Sequence, residues 1–116
     1  MKTTVFCTLQ FQGIHNWPTC PIEEVKYLRD KHRHVFHVRA VKAVYHDDRD
    51  VEFIQLKHKI QQYIHTTYHD PSNPGLLEYD IGSTSCEQLA YQILMEFQLE
   101  SCEVNEDGEN GATVSL

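Results

Sequence analysis

The order of strand-like and helix-like segments predicts a single α+β domain over residues 1–116. Three observations predict this fold class. Apolar and polar residues alternate near the start of the chain, apolar residues recur with helical spacing in its middle, and a short polar turn separates two further strand-like stretches near its end. The resulting order is strand, strand, helix, helix, strand, strand. A chain of this length can bury one hydrophobic core without support from disulfides.

Four segments have the alternation expected of strands. The first covers Thr3–Ile14 and ends beside His15, and the second covers His32–His46, which is rich in valine. We expect these two strands to pair. Ser101–Glu106 and Ala112–Leu116 flank a hairpin-type turn and are predicted to be the closing strands.

Two helices are predicted between the strand pairs. From residue 51 to about 66 the apolar residues fall on one helical face. Residues 69–83 contain two prolines and two glycines and form a connection long enough to suggest a function. Thr84 and Glu87 then have the spacing of a capping box, which predicts that a second helix starts there and that Glu87 has a capping role, with a substrate contact as the secondary interpretation.

The overall composition excludes some classes of protein. Ten Lys and Arg stand against seventeen Asp and Glu, a net charge of −7, which argues against a general nucleic-acid binder. No stretch approaches the length of an apolar membrane span, and the first four residues do not begin a signal peptide. We therefore expect a soluble cytoplasmic protein with reduced cysteines and no membrane partner.

The charges are unevenly distributed along the chain. All ten bases and seven acids lie in residues 1–59, a balance of +3, whereas residues 60–116 hold ten acids and no Lys or Arg, a balance of −10. Two differently solvated surfaces would explain this pattern. A site or subunit interface where a basic half meets an acidic half would explain it equally.

Three histidines form the strongest candidate site. His32 and His34 share one face of the predicted strand, with Cα atoms about 6.5–7 Å apart. His15 can supply a third nitrogen if the strand register brings it across. Three His ligands leave a fourth position open, as in a catalytic zinc site, although a His-x-His pair alone is also common on polar strand faces. His37 points to the opposite face, and the helically spaced His65 and His69 lack an accompanying metalloprotease glutamate.

Several motifs, in this order, resemble a known enzyme family. The motifs are Phe11-x-x-x-His15, His32-x-His34, Glu52-Phe53-x-x-Leu56-Lys57 and Thr84-Ser85-x-Glu87-x-Leu89-Ala90. Together they resemble the 6-pyruvoyl-tetrahydropterin synthase and 6-carboxytetrahydropterin synthase family over nearly the whole chain.

The resemblance implies a fold, a cofactor and an assembly. The implied fold is the tunnelling fold, a four-stranded antiparallel sheet with two helices on one face. It implies Zn²⁺ on His15, His32 and His34, and homo-oligomers, trimers or hexamers, whose sheets join into a barrel with active sites at subunit interfaces. The implied activity is that of a lyase on a reduced pterin of the dihydroneopterin triphosphate type, in pterin or 7-deazapurine (queuosine) biosynthesis.

The resemblance also implies roles for individual residues. His69 follows Glu52 at the spacing of the family's proton-transferring histidine. Glu106 matches the glutamate that anchors the amino-pyrimidine edge of the pterin, a task suited to a carboxylate that accepts two parallel hydrogen bonds. Cys20 is the candidate for the family's catalytic cysteine. Part of the basic surface of the first half would hold the triphosphate, or else is simply solvated. Its members are Lys26, Arg29, Lys31, Arg33, Arg39 and Lys42.

The chain departs from the family pattern at four positions. Leu28 stands four residues before His32, where the cysteine is expected, so either residues 18–31 contain an insert and Cys20 keeps the role, or the cysteine chemistry is absent. Tyr68 replaces the aspartate beside the catalytic histidine, so the orienting carboxylate is missing or must be Asp70. Asp107 follows Glu106 where the family has threonine, and Arg33 replaces the glycine of the family's His-Gly-His motif. These departures leave open a catalytically silent protein that binds a pterin, purine or nucleotide. A purely structural metal module is a third interpretation, which predicts four protein ligands and no pocket.

Overall fold

A computed structural model describes all 116 residues as five strands, two α-helices and one 3₁₀ helix. In chain order, the elements are β1 (Thr3–His15), the 3₁₀ helix (Glu23–Arg29), β2 (His32–Val44), α1 (Phe53–Tyr68), β3 (Tyr79–Gly82), α2 (Cys86–Phe97), β4 (Ser101–Glu106) and β5 (Asn110–Ser115). The α+β class predicted from the sequence is confirmed. None of the helices combines the length and the apolar character needed to cross a membrane.

The sheet has five strands rather than the four expected. Its order is β3-β1-β2-β4-β5, and the pairs β1–β2, β2–β4 and β4–β5 are antiparallel. The extra strand β3 lies parallel to β1, so the sheet is mixed. It forms within the segment predicted to be a connection, because Ile81 is buried in the core and its neighbours pair with the edge of β1.

One hydrophobic core joins the sheet to both α-helices. The inward residues of β1 and β2 alternate along each strand, and those of α1 recur at helical spacing. The largest fully buried side chains include Phe36, Ile60, Ile64, Leu89 and Ile93. Because all of them belong to one cluster, both helices cover the same face of the sheet.

The second helix begins one residue later than predicted. Ser85, rather than Thr84, is the N-cap: its hydroxyl accepts a hydrogen bond from the Gln88 amide, and the Gln88 side chain accepts one from the Ser85 amide. The predicted pairing of Thr84 with Glu87 is therefore wrong. Both Thr and Ser are good N-caps, so spacing alone does not choose between them. Thr84 precedes the N-cap, and Glu87 lies in the first turn of α2.

Residues 16–31 form an ordered segment beside the end of β1. The Trp17 amide donates to the Leu28 carbonyl at 2.7 Å, and the Asn16 side chain donates to the Arg29 carbonyl at 2.9 Å. The 3₁₀ helix Glu23–Arg29 lies within this segment. This segment closes over one end of the sheet, next to the three histidines.

Candidate metal centre

The register of the first two strands brings the three histidines together. His15 pairs directly with His32, and His34 pairs with Gly13. Because side chains alternate along a strand, His15, His32 and His34 emerge on the same face of the sheet as Phe36. The predicted convergence of the three residues is confirmed.

The three imidazoles enclose a small space. Their ring centroids are 4.6 Å apart for His15 and His32, 4.9 Å for His32 and His34, and 5.4 Å for His15 and His34. One nitrogen from each ring lies within 4.8 Å of the others. The Phe36 ring meets His15 and His34 edge-on and forms an apolar floor.

Each imidazole is oriented by an acceptor at its other nitrogen. The Nδ1 of His15 donates to the Thr84 carbonyl at 3.1 Å, and the Nδ1 of His32 donates to the Asp30 carbonyl at 2.8 Å. A carbonyl oxygen only accepts, so the proton is assigned to Nδ1 in both rings and the Nε2 lone pair is left free.

The third ring is held by a carboxylate. The Nδ1 of His34 lies 2.7 Å from Oδ2 of Asp107, whose other oxygen accepts from the Val35 amide at 2.9 Å. These two donors hold the pKa of Asp107 below its usual value. Outer contacts of this kind set the tautomer of metal-binding histidines and raise their basicity.

Glu106 lies against the same space. Its Oε1 is 3.3 Å from Nε2 of His15, and its Oε2 is 3.2 Å from Nε2 of His34. Neither contact has the geometry of a hydrogen bond. The Nε2 atoms of His15 and His34 are therefore both buried without a hydrogen-bond partner. The Cys86 thiol donates to Oε1 at 3.8 Å.

The proximity of Glu106 and His15 shifts the pKa of both groups. Contact with His15 holds the pKa of Glu106 below its usual value and outweighs partial burial, which alone would raise it. Burial alone would lower the pKa of His15, but the carboxylate and the Thr84 carbonyl together raise it. The site is therefore built to hold positive charge.

The hydrogen bonding of these histidines indicates, independently of the family resemblance, that a metal ion would fit among them. Buried polar atoms in proteins nearly always have a partner, and the Nε2 atoms of His15 and His34 have none within the protein. Three oriented imidazole nitrogens beside a carboxylate are donors for a divalent transition metal. The His15, His32 and His34 group can hold a metal ion.

A cavity of about 510 Å³ opens beside the histidines. His15, His32 and Glu106 form part of its wall, and Glu87 lines it as well. None of its lining residues is Lys or Arg, so the six bases predicted as a phosphate surface are not part of it. An ion held by the histidines would be accessible from a cavity large enough for a small organic ligand.

Cys20 and Leu28 occupy different positions with respect to this cavity. Leu28 lines it, together with Trp17, whereas Cys20 does not. The Cys20 side chain is completely buried, and its thiol faces the carbonyls of Ile22 and Val25 at 3.8 and 3.7 Å. The cavity wall thus carries leucine at the position where the resemblance leads one to expect cysteine.

His69 also lies away from the cavity within one chain. It is the C-cap that follows the last residue of α1, and its ring stacks on His65 with centroids 4.6 Å apart. The His65 Nδ1 is 3.0 Å from the Tyr79 hydroxyl. Tyr68 donates to the Gln92 side chain at 2.6 Å, and burial raises the pKa of its phenol. His69 is therefore not among the residues that line the cavity beside the three histidines.

Sequence reasoning missed the groups that orient the imidazoles. Asp30 and Thr84 act through backbone carbonyls, which leave no signal in a sequence. Asp107 was recognisable only as a departure from the family pattern after Glu106. A carboxylate that follows a candidate site residue in a tight turn is the one signal that points to it.

Comparison with known proteins identifies the fold but no function. No protein-family model matches the chain, and no curated protein matches it. Among solved structures, the chain is similar to the uncharacterized protein WS1659 from Wolinella succinogenes, with a TM-score of 0.64 and 12% sequence identity. The match covers 99% of this chain and 98% of that one. The fold is therefore shared over the full length of both chains.

Proposed function

We propose that this protein is a metal-dependent enzyme resembling 6-carboxytetrahydropterin synthase, acting on a reduced pterin at the site of His15, His32 and His34. The observation that carries the proposal is the set of three imidazoles, each held at Nδ1, with one nitrogen of each ring within 4.8 Å of the others beside a cavity. We further propose that the fold is the tunnelling fold, that the metal is Zn²⁺ and that the protein is a homo-oligomer.

A bound divalent metal would polarise a hydroxyl or carbonyl of the ligand and stabilise the negative charge that develops there. The residues of the chain bind and orient the ligand. Cavity walls of Trp17 and Leu28 suit an apolar ring face, and the carboxylates of Glu87 and Glu106 suit its N–H edge. Because no Lys or Arg lines the cavity, a triphosphate tail would extend beyond it, toward solvent or another subunit.

A second function is favoured by the position of Cys20. Its thiol lies outside the cavity, and Leu28 lines the wall instead. His69 is likewise stacked against His65 and does not line the cavity. A protein with this arrangement in every subunit would bind a pterin, purine or nucleotide without turnover.

Metal analysis combined with a turnover assay tests these functions. The purified protein and the Cys20→Ala, His15→Ala and His34→Ala variants are assayed for zinc content and for turnover of dihydroneopterin triphosphate. His37→Ala is the matched control, because His37 lies on the opposite face of β2. If the protein is the proposed enzyme, the wild type should hold one zinc per chain and turn over the substrate. The zinc should be lost in His15→Ala and His34→Ala but not in His37→Ala.

The alternatives give different results. Binding of the pterin without turnover would overturn the enzyme and support the silent binding protein. Turnover that persists in Cys20→Ala would exclude Cys20 as the catalytic cysteine. Full metal content in His15→Ala and His34→Ala would reject the metal site itself.

A further inference from the structure

We propose that Glu106 is the fourth protein ligand of the metal in the ligand-free protein, so that the centre at rest is a His₃Glu site. The inference rests on the metal site of the proposed function and concerns how that site is closed. The resemblance assigns Glu106 to the substrate ring, whereas the observed contacts direct both of its oxygens toward the histidines.

Glu106 lies at the distance expected between two ligands of one ion from His15 and from His34, through a different oxygen in each case. In a tetrahedral centre with metal–ligand bonds of about 2.0–2.1 Å, neighbouring ligand atoms are about 3.3–3.4 Å apart. The Glu106 oxygens lie 3.3 Å from Nε2 of His15 and 3.2 Å from Nε2 of His34. An N–H···O hydrogen bond has a mode of about 2.9–3.0 Å, and neither pair has hydrogen-bond geometry.

The arrangement of charge also calls for a cation among these atoms. The Nδ1 protons of His15 and His34 are already directed to Thr84 and Asp107, so in the neutral rings each Nε2 presents a lone pair. A carboxylate beside these two nitrogens in a partly buried site requires a positive charge, which either a second proton on an imidazole or a bound ion supplies. An ion bound jointly by the imidazoles and the carboxylate meets this requirement.

The path of the chain supports direct ligation. Phe36 on β2 pairs with Glu106 on β4, so the carboxylate emerges from the strand next to the one that carries His34. Asp107, the following residue, fastens His34 through Nδ1. One turn thus carries both a ligand and the group that orients another ligand. A small molecule that enters from the cavity would then bind the metal by displacing Glu106 or by occupying a further coordination position.

Zinc affinity and the visible spectrum of the Co²⁺-substituted protein test this inference. Wild type, Glu106→Gln and Glu106→Asp are compared, with Glu103→Gln as the matched control because Glu103 lies on β4 and on its other face. Loss of an outer-sphere contact typically costs about 10–100-fold in metal affinity, so loss of a direct ligand should cost more than about 100-fold. Glu106→Gln should also change the cobalt absorption bands, and Glu103→Gln should change neither quantity.

The Glu106→Asp variant distinguishes direct ligation of the metal from an effect of the negative charge alone. It keeps the negative charge but draws the carboxylate back by one methylene, so direct ligation predicts reduced affinity and a changed cobalt spectrum. Wild-type affinity and an unchanged spectrum in both Glu106 variants would overturn the inference. Loss of metal from His15→Ala in the same experiment would still support the metal site of the proposed function, even if both Glu106 variants behaved like the wild type. If His15→Ala retains metal, the proposed function fails as well.

Discussion

Asp107 holds the His34 ring through a contact of 2.7 Å between its Oδ2 and the imidazole Nδ1. Its backbone adopts a left-handed conformation, with φ of 58°, which turns the chain sharply after β4. The same carboxylate accepts a hydrogen bond from the Val35 amide. The turn therefore positions His34, a candidate metal ligand on a neighbouring strand.

Asp107→Asn should weaken metal binding while preserving the turn, because asparagine tolerates a left-handed backbone. Its single oxygen can accept from Val35, and the amide nitrogen then faces His34 and favours the proton on Nε2, where the metal would bind. We expect a loss of about 10–100-fold in zinc affinity, measured by competition with a chromophoric chelator. Glu109→Gln in the same turn serves as the control, and equal affinities for the two variants would contradict a role for Asp107.

Gly13→Ala should destabilise the protein and disturb the floor of the site. A Cβ atom at Gly13 would lie 2.7 Å from two carbons of the completely buried Phe36 ring. Overpacking of this kind costs about 1–3 kcal/mol. Gly75→Ala is the control, because a Cβ atom there meets nothing within 4 Å. Urea unfolding of both variants measures the difference, and an unchanged free energy of unfolding in Gly13→Ala would show that the ring moves aside freely.

Metal removal should lower the thermal stability of the protein. A metal that binds only the folded state stabilises it by about 2.7 kcal/mol when its free concentration is 100 times Kd. We expect a chelator to lower Tm and added zinc to restore it. The zinc-dependent rise should vanish in His15→Ala and persist in His37→Ala. A rise of equal size in His15→Ala would indicate that zinc binds elsewhere.

The Cys86 and Cys102 thiols should be inert in the folded protein. Burial raises the pKa of both to about 12, and for Cys86 the adjacent Glu106 carboxylate adds to the effect. Since the thiolate is the reactive form, iodoacetamide at pH 8 should modify these residues only after unfolding. Peptide mass spectrometry with and without urea measures this, and rapid native labelling of Cys102 would contradict it.

Asp80 should contribute to stability in a pH-dependent manner. The Lys31 ammonium, 2.6 Å from its carboxylate, holds the pKa of Asp80 below the usual 3.8. A lowered native pKa means that the contribution is present above the unfolded value and disappears as pH falls through the native value. Because the pair is partly exposed, we expect less than about 1 kcal/mol.

Unfolding of wild type and Asp80→Asn at pH 7 and at pH 2.5 measures the contribution of Asp80. The difference in stability between the two proteins should be present at pH 7 and reduced at pH 2.5. A difference that stays constant with pH would reject the ion pair as its source.

The histidine cluster was predictable because it depends on regular features. Alternation along β2 puts His32 and His34 on one face, and an antiparallel neighbour ending at His15 can reach them. The strand β3 was not predictable, since four residues among prolines and glycines carry too little pattern, and its parallel partner is distant in sequence. Its formation depends on the burial of Ile81 in the assembled core.

The groups that contact the histidines could not be predicted from the sequence, for a different reason. The carbonyls of Asp30 and Thr84 act through backbone position, which only the folded loops determine. The contact of Glu106 with His15 and His34 depends on how β4 registers against β2. Sequence patterns predict which side chains share a face of one strand, but not how loops and distant strands approach them.

The acceptors at residues 30, 84 and 107 belong to three loops spread over most of the chain. A chain still emerging from the ribosome has His15, His32 and His34 long before it has Glu106 and Asp107. During synthesis it therefore offers only a loose, poorly oriented trio of imidazoles. Tight capture of a metal by this site would therefore wait until Asp107 has been made and β4 has paired with β2, which would couple metal binding to folding.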